Sequence, residues 1–414
     1  MVITVMLSGH AFTIGSLLLI FRVVLFADSF STFVSSMREE KLPKATLGMT
    51  WQTLHVDSFS DSPVTDGSTR TRGHPQTYKD EAYRDAVLTA WKSEAERIDL
   101  WEDFQVETKS IVYYCDEDKI EESARGATDG DTASKAATPL FGQIIRRKLK
   151  AKRDALPQGE NGHLLPGILL FHTGAGPHDL FLQWKAQSLV CSKRFSSGCI
   201  VLIADILSDG IGWAWDADRS RFGEVYSSVI AMDNDCDPKG ERPELQRRAS
   251  AAYNTLCSLP HVDSSKIAAL GWCLGGHPIF EIAKSPRKMF SGMKAMITFH
   301  GVFGPVRQFH SSSSPAYARD LSEEVRVSEA SSNSSILICN GDNDPFVDSA
   351  DLEASVELFR LCGHHVDVLH LPGARHGFTN PAQDFNENES FKYHGKSADV
   401  AWEKALDLLN KSVG

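Results

Sequence analysis

Lys266–Glu281, KIAALGWCLGGHPIFE, passes from an apolar run through a glycine-flanked cysteine into a helix start. Ile267 to Leu270 are continuously apolar, the pattern of a strand buried on both faces of a parallel sheet, and His277 to Ala283 has helix-compatible composition. Between them stands Gly271-Trp272-Cys273-Leu274-Gly275-Gly276. A strand that turns sharply into a helix needs glycine wherever a Cβ would clash, and such a turn presents its central side chain at the strand's carboxyl end. That side chain is Cys273. Elbows of this kind usually carry serine. A thiol in the same place lies near a helix N-terminus, whose partial positive charge favours the nucleophilic thiolate. The backbone N–H of Leu274 would face whatever Cys273 attacks, as half of an oxyanion hole. At average glycine content about 0.04 Gly-x-Cys-x-Gly matches arise by composition alone, so a buried packing cysteine is the weaker reading.

Outward from this stretch, apolar runs alternate with helical patterns. Gly167–His172, Cys199–Asp205, Ala295–Phe299, Ile336–Asn340 and Val366–Leu371 read as strands. Asp179–Cys191, with Leu180, Leu182, Trp184 and Leu189 on one side, Pro243–Leu259 and Val400–Leu409 read as helices. Two earlier strands are expected, over Phe104–Tyr114 and Leu140–Ile145, with an acidic solvated loop between them and a charged surface turn over Arg146–Arg153. The pattern predicts an α/β fold: a mostly parallel sheet with helices on both faces, its chemistry at the carboxyl ends of the strands.

The chain has 414 residues, a net charge of −11 and no long basic run, so nucleic acid is not an expected partner. Its eight cysteines form no Cys-x-x-Cys pair. Residues 1–30 are expected to be a hydrophobic N-terminal targeting or anchor segment. Ala11–Ala27 has the length of a signal-peptide core but lacks a basic start and contains Arg22, which leaves a signal or organelle-targeting sequence, a membrane anchor and an amphipathic helix open. Residues 31–103 read as a linker and helical extension. Within it Glu81–Trp101 places Val87, Leu88, Trp91, Ala95, Ile98 and Trp101 at helical spacing. Residues 104–414 form the main domain.

The carboxyl-end rule selects partners for Cys273. Gly341-Asp342-Asn343-Asp344-Pro345-Phe346-Val347 follows one strand and Pro372-Gly373-Ala374-Arg375-His376-Gly377-Phe378 the next. Nucleophile, acid, base is the chain order of the α/β-hydrolase arrangement. In this reading His376 is the general base and Asp344 fixes its tautomer, with Asp342 the competing acid. His172, His300, Trp213 and Trp215 are candidate pocket residues. Cysteine, histidine and aspartate can also hold zinc, but ligands on three separate loops beside a glycine elbow suit acyl transfer better.

These three motifs, in this order, resemble those of the dienelactone hydrolase family. The resemblance runs from about Phe104 to the C-terminus and takes in His300-Gly301 and the ending from Phe391-Lys392-Tyr393 to Trp402. It implies an α/β-hydrolase fold, a Cys-His-Asp triad, no metal or cofactor, and hydrolysis of a small carboxylic ester or lactone. Family members that cleave dienelactone carry a glutamate where this chain has Thr173, and an arginine where it has Asn380. The substrate is therefore expected to differ from dienelactone. Thr173-Gly174-Ala175-Gly176 can still supply the second oxyanion N–H, from Thr173 or Gly174. The same departures motivate a second reading, a non-catalytic ligand-binding or sensor protein on a hydrolase scaffold. The expected partner is a small ester or lactone; a membrane enters only through the N-terminal segment, and the sequence leaves the oligomeric state open.

Overall fold

A computed structural model describes residues 4–7, 10–13, 52–53, 81–97, 105–115, 137–148, 164–195, 197–208, 210, 212–213, 220–230, 242–303 and 334–414. They fall into two units, Met1–Leu47 and Gly48–Gly414. In the first, β1 (Thr4–Leu7) and β2 (His10–Thr13) pair antiparallel. The rest of the apolar segment from residue 14, and with it the targeting or anchor expectation, lies outside the described residues. No helix among them is long and apolar enough to cross a membrane.

The second unit is built on one sheet. Its strands are β3 (Gln52–Thr53), β4 (Val106–Cys115), β5 (Thr138–Arg147), β6 (Leu165–Phe171), β7 (Ile200–Ala204), β8 (Val262–Trp272), β9 (Met293–Phe299), β10 (Ser335–Gly341) and β11 (His365–Leu371). Their order across the sheet is β11-β10-β9-β8-β6-β7-β5-β4-β3. The strands from β6 to β11 all pair parallel with one another, and the three strands at the other edge run antiparallel. Parallel strands buried on both faces read as unbroken apolar runs, which is why β6 to β10 are plain in the sequence.

Two cores follow from the pleat. Along β8, Ile267 and Ala269 face one core, with α4 (Pro243–Ser258), α5 (Gly276–Lys284) and α6 (Ser349–Leu361). Ala268, Leu270 and Trp272 face the other, with α1 (Glu81–Arg97), α2 (Leu180–Cys191) and α7 (Gly395–Val413). A short α3 (Ser220–Val225) runs into a π-helical turn, Tyr226–Ile230.

Two expectations need correction. Arg146 and Arg147 are not in a surface turn but end β5. Arg147 turns inward and donates to the carbonyls of Val190, Ser192 and Phe195, while Arg146 meets Glu107 on the neighbouring strand. The helix expected to be apolar on one side, α2, is buried all round. Trp184 Nε1 donates to Glu94 of α1, the Lys185 ammonium lies over the Trp184 and Trp402 rings, and Gln183 donates to Gln143 of β5. Helix α1 packs on α2 and on the turn Pro381–Phe385, with Trp91 fully buried.

Candidate active site

The chain order reverses at β6, which has β8 on one side and β7 on the other. Such a reversal opens a crevice at the carboxyl ends of the strands, the place where sheets of this kind bind ligands. Cys273 stands there, immediately after β8, with φ 53°. The left-handed conformation aims its side chain out of the turn while the chain re-enters α5. The glycines around it are required by contact. A Cβ on Gly271 would lie 2.1 Å from the Gly275 carbonyl oxygen, and one on Gly275 would lie 2.5 Å from that of Phe171. The Cys273 carbonyl in turn accepts from Val302 N–H at 2.9 Å, fixing the elbow against the segment after β9.

His376 and Asp344 come from loops of β11 and β10 that are laced together. Asn343 N–H donates to the Ala374 carbonyl at 3.0 Å and Asp342 N–H to that of Leu371 at 3.1 Å. His376 Nδ1 donates to Asp344 Oδ2 at 2.8 Å, and both residues are buried. Asp344 Oδ1 is held by Phe346 N–H at 2.9 Å. With Nδ1 engaged, the other ring nitrogen meets the Cys273 thiol, to which His376 is hydrogen-bonded. Asp342, the competing acid, points away to the exposed His370, 3.4 Å distant.

Two backbone N–H groups also reach the Cys273 sulfur, those of Leu274 and Gly174. Of the two residues offered after β6, Gly174 makes that contact. Burial alone would raise the Cys273 thiol, but the facing His376 charge, its hydrogen bond and these two N–H groups hold it below the ordinary thiol range. Burial likewise opposes charge on His376, yet the Cys273 thiolate and the Asp344 carboxylate raise it to about 10. These contacts favour a thiolate facing an imidazolium.

Of the pocket candidates, only His300 among the described ones lines the cavity around Cys273. It is neutral, because burial and the His376 charge push it well below the usual imidazole range. Its Nε2 is 3.1 Å from Thr379 Oγ1, and its ring meets that of His376 edge-on at 4.8 Å. His172 and Trp213 do not line the cavity; they brace the Gly174 loop from behind. His172 bridges the Thr173 carbonyl at 2.6 Å and Asp205 Oδ1 at 3.1 Å. Trp213 takes its backbone N–H to Asp205 and donates its indole N–H to the Gly174 carbonyl at 3.0 Å. Gly176, at φ 95°, lets this loop approach: a Cβ there would fall 2.2 Å from the Trp213 carbonyl oxygen. Trp215 lies outside the described residues.

The cavity measures about 180 Å³. That is room for several waters, and hence for a small ligand. Sequence reading misses much of its wall. Tyr83 comes from α1, Asp179 and Phe181 from the start of α2, and Gln383, Asn386, Asn388 and Phe391 from the turn after His376. The Asp179-Leu180 start of α2 carries an N-cap signal, and Asn380 to Asn388 a loop signal, but neither says what the residues face. Thr173 and Asn380 both line the cavity. Among the described residues no group of three or more His, Cys, Asp or Glu is placed to hold a metal ion.

Comparison with known proteins agrees with this architecture. A profile of the dienelactone hydrolase family matches residues 154–413, more than half of the chain. An uncharacterised protein of Caenorhabditis elegans, K02A2.1, is 27% identical over 169 residues, 41% of this chain and 94% of its own length. The same fold is found in a dienelactone hydrolase-like promiscuous phosphotriesterase from metagenomic libraries, with TM-score 0.50 and 23% identity over 75% of this chain and 99% of that one. It is found again in m3DLH, with TM-score 0.51 and 20% identity over 75% and 99% of the two chains. With the family's motifs borne on its sheet edge and its profile covering β6 to α7, this chain belongs to the dienelactone hydrolase family, hydrolases of ester bonds with the α/β-hydrolase fold.

Proposed function

We propose that Cys273, His376 and Asp344 act as nucleophile, general acid–base and orienting acid in hydrolysis of a small carboxylic ester or lactone through a thioester acyl-enzyme. The observation that carries this reading is the convergence of three groups on the Cys273 sulfur: His376 and the N–H groups of Leu274 and Gly174. The thiolate attacks the carbonyl carbon, and the oxyanion that forms takes up those two N–H groups. Collapse breaks the acyl–oxygen bond, and the departing alkoxide takes the proton of the His376 imidazolium. Neutral His376 then removes a proton from water, the hydroxide attacks the thioester, and the sulfur leaves as thiolate, releasing the carboxylic acid. Asp344 keeps the ring in the tautomer that both halves require. A resting ion pair replaces the glutamate that family members acting on dienelactone place at Thr173, so the thiol needs no further activator. The cavity's size favours a short acyl group and a small alcohol.

Turnover of a short-chain aryl ester and intact-mass detection of the acyl adduct test the assignment. Cys273→Ala should lower kcat by at least about 10³-fold and abolish the adduct. Retention of turnover by that variant would sink the proposal.

A further inference from the structure

The wall of the cavity around Cys273 holds a carboxylate, Asp179, and among its described residues no lysine or arginine. Asp179 is 2% exposed and lines the cavity. Its Oδ1 accepts Phe181 N–H at 3.0 Å as the N-cap of α2, and no described group donates to Oδ2. Burial raises its carboxyl to about 6, against the pull of Phe181 N–H and the His172 charge, so it is ionised at neutral pH. Capping alone does not call for this residue, since asparagine or serine caps a helix as well without a buried charge.

Of the described residues His172 draws it toward the charged form, but that ring is itself engaged by Asp205 at 3.1 Å. Among the described residues of the wall there is no lysine or arginine. Arg375 donates to the Glu389 carbonyl and Lys392 pairs with Asp384. Lys185 lies over the Phe181 ring, 5.7 Å from its centroid, lines a different depression and is 3.9 Å from Glu94. His376 is engaged by Cys273 and by Asp344. What remains is neutral: side-chain amides such as Asn380 and Gln383, and the rings of Tyr83, Phe181 and Phe391. Aromatic faces beside one carboxylate are the surroundings that attract ammonium groups.

We infer that Asp179 is a specificity-determining residue for substrate cations: the preferred substrate is a small ester or lactone carrying an ammonium or quaternary amine close to the scissile carbonyl. This rests on the hydrolase reading above for its catalytic half only. Because Asp179 and Cys273 line the same cavity, a cation held by the one lies close to a carbonyl attacked by the other.

The test compares three acetate esters that share the acyl group: that of choline, its uncharged carbon isostere 3,3-dimethylbutanol, and 3-hydroxypropanoate. The wild-type kcat/KM should be about tenfold higher for the choline ester than for the isostere, with the anionic ester slowest. Asp179→Asn, which retains the cap, should bring the choline-to-isostere ratio to within about threefold of unity. An isostere as good as the choline ester, or a ratio unmoved by the substitution, overturns the assignment while leaving ester hydrolysis standing. Tetramethylammonium supplies a second readout that does not depend on turnover. It should slow iodoacetamide labelling of Cys273 in the wild type and lose that protection in Asp179→Asn. Absence of protection in the wild type counts against the cation site even if no ester is hydrolysed.

Discussion

Cys273 and His376 share one proton between two groups whose affinities have been pushed past each other, the thiol down and the imidazole up to about 10. The ordering depends on Asp344, whose carboxylate meets His376 Nδ1 at 2.8 Å. Asp344→Asn removes the charge and presents an amide that favours the wrong tautomer, so kcat should fall by about 10²–10⁴-fold with little change in KM. Asp342→Asn, on an exposed carboxylate facing His370, should stay within about twofold of wild type in the same ester assay. A second residue-scale consequence concerns Asp179. In the folded protein its carboxyl titrates at about 6, above the 3.8 of an unfolded chain, so the fold favours the protonated form. That contribution is complete below the unfolded value and is lost as pH rises through 6. Ionising the buried carboxyl at higher pH therefore costs the folded state roughly 3 kcal/mol. Asp179→Asn should be more stable than wild type by up to about 3 kcal/mol at pH 8, and nearly equal to it near pH 4. Urea unfolding at the two pH values measures this; equal stability at pH 8 would show that the buried carboxylate is compensated. A position that weakens the fold and keeps its charge is one where function is the expected reason.

At the scale of elements, the elbow depends on how α5 is anchored. Glu281 of α5 accepts from Arg242, the N-cap of α4, and from Lys284 Nζ at 3.0 Å, all three buried, while Arg242 Nη1 also approaches His277 Nδ1 at 2.8 Å. Breaking a buried pair by removing one partner costs more than the pair contributes, because the remaining charge stays desolvated. Glu281→Gln leaves two cations facing a neutral amide and should destabilise the protein by about 3–5 kcal/mol, read by chemical denaturation. Neutral variants at the exposed Glu403, which meets Arg194 at the surface, should change stability by less than about 1 kcal/mol. Elements of this kind differ in how visible they are in sequence. Strands β6 to β10 and the elbow are readable because burial on both faces leaves an apolar run at the centre of each strand, as at Ile267–Leu270, and because Gly271 and Gly275 have backbone atoms where a Cβ would sit. Helix α2 reads as one-sided because Gln183, Lys185, Gln187 and Ser188 are polar; their burial follows from the packing of α1, β5 and the Trp402 ring around the helix, a tertiary fact. Arg146 and Arg147 read as a turn on charge alone, and the carbonyls that Arg147 satisfies lie some 43 to 48 residues away.

Across the whole molecule, three motifs separated by long stretches of sequence meet because parallel strands deliver every loop to one edge, so the triad can be named from order alone. Which side of a loop a residue occupies cannot. His172 and Trp213 follow strands as the cavity residues do, yet they stand behind the Gly174 loop, held through Asp205. The cavity wall is also wider than the family match, which begins at residue 154. Tyr83 on α1 lines the space around Cys273, and its ring lies 6.3 Å from that of Phe385 in the turn that follows His376. The same helix buries Val87, Leu88 and Trp91 against the second core. Loss of an aromatic residue of this kind typically costs about 3–5 kcal/mol. Helix α1 therefore serves both as part of the body and as a wall of the site. A chain beginning at Gln105 should unfold at a lower temperature than one beginning at Gly48 and should bind short esters less tightly, raising KM by roughly tenfold, with a smaller change in kcat because no group that meets Cys273 is removed. Restoring stability without Tyr83, by Tyr83→Ala in the longer chain, separates the two roles. That variant should lose only part of the stability that the shorter chain loses, since Val87, Leu88 and Trp91 stay in place, yet show the KM increase in full; an unchanged KM would confine α1 to packing.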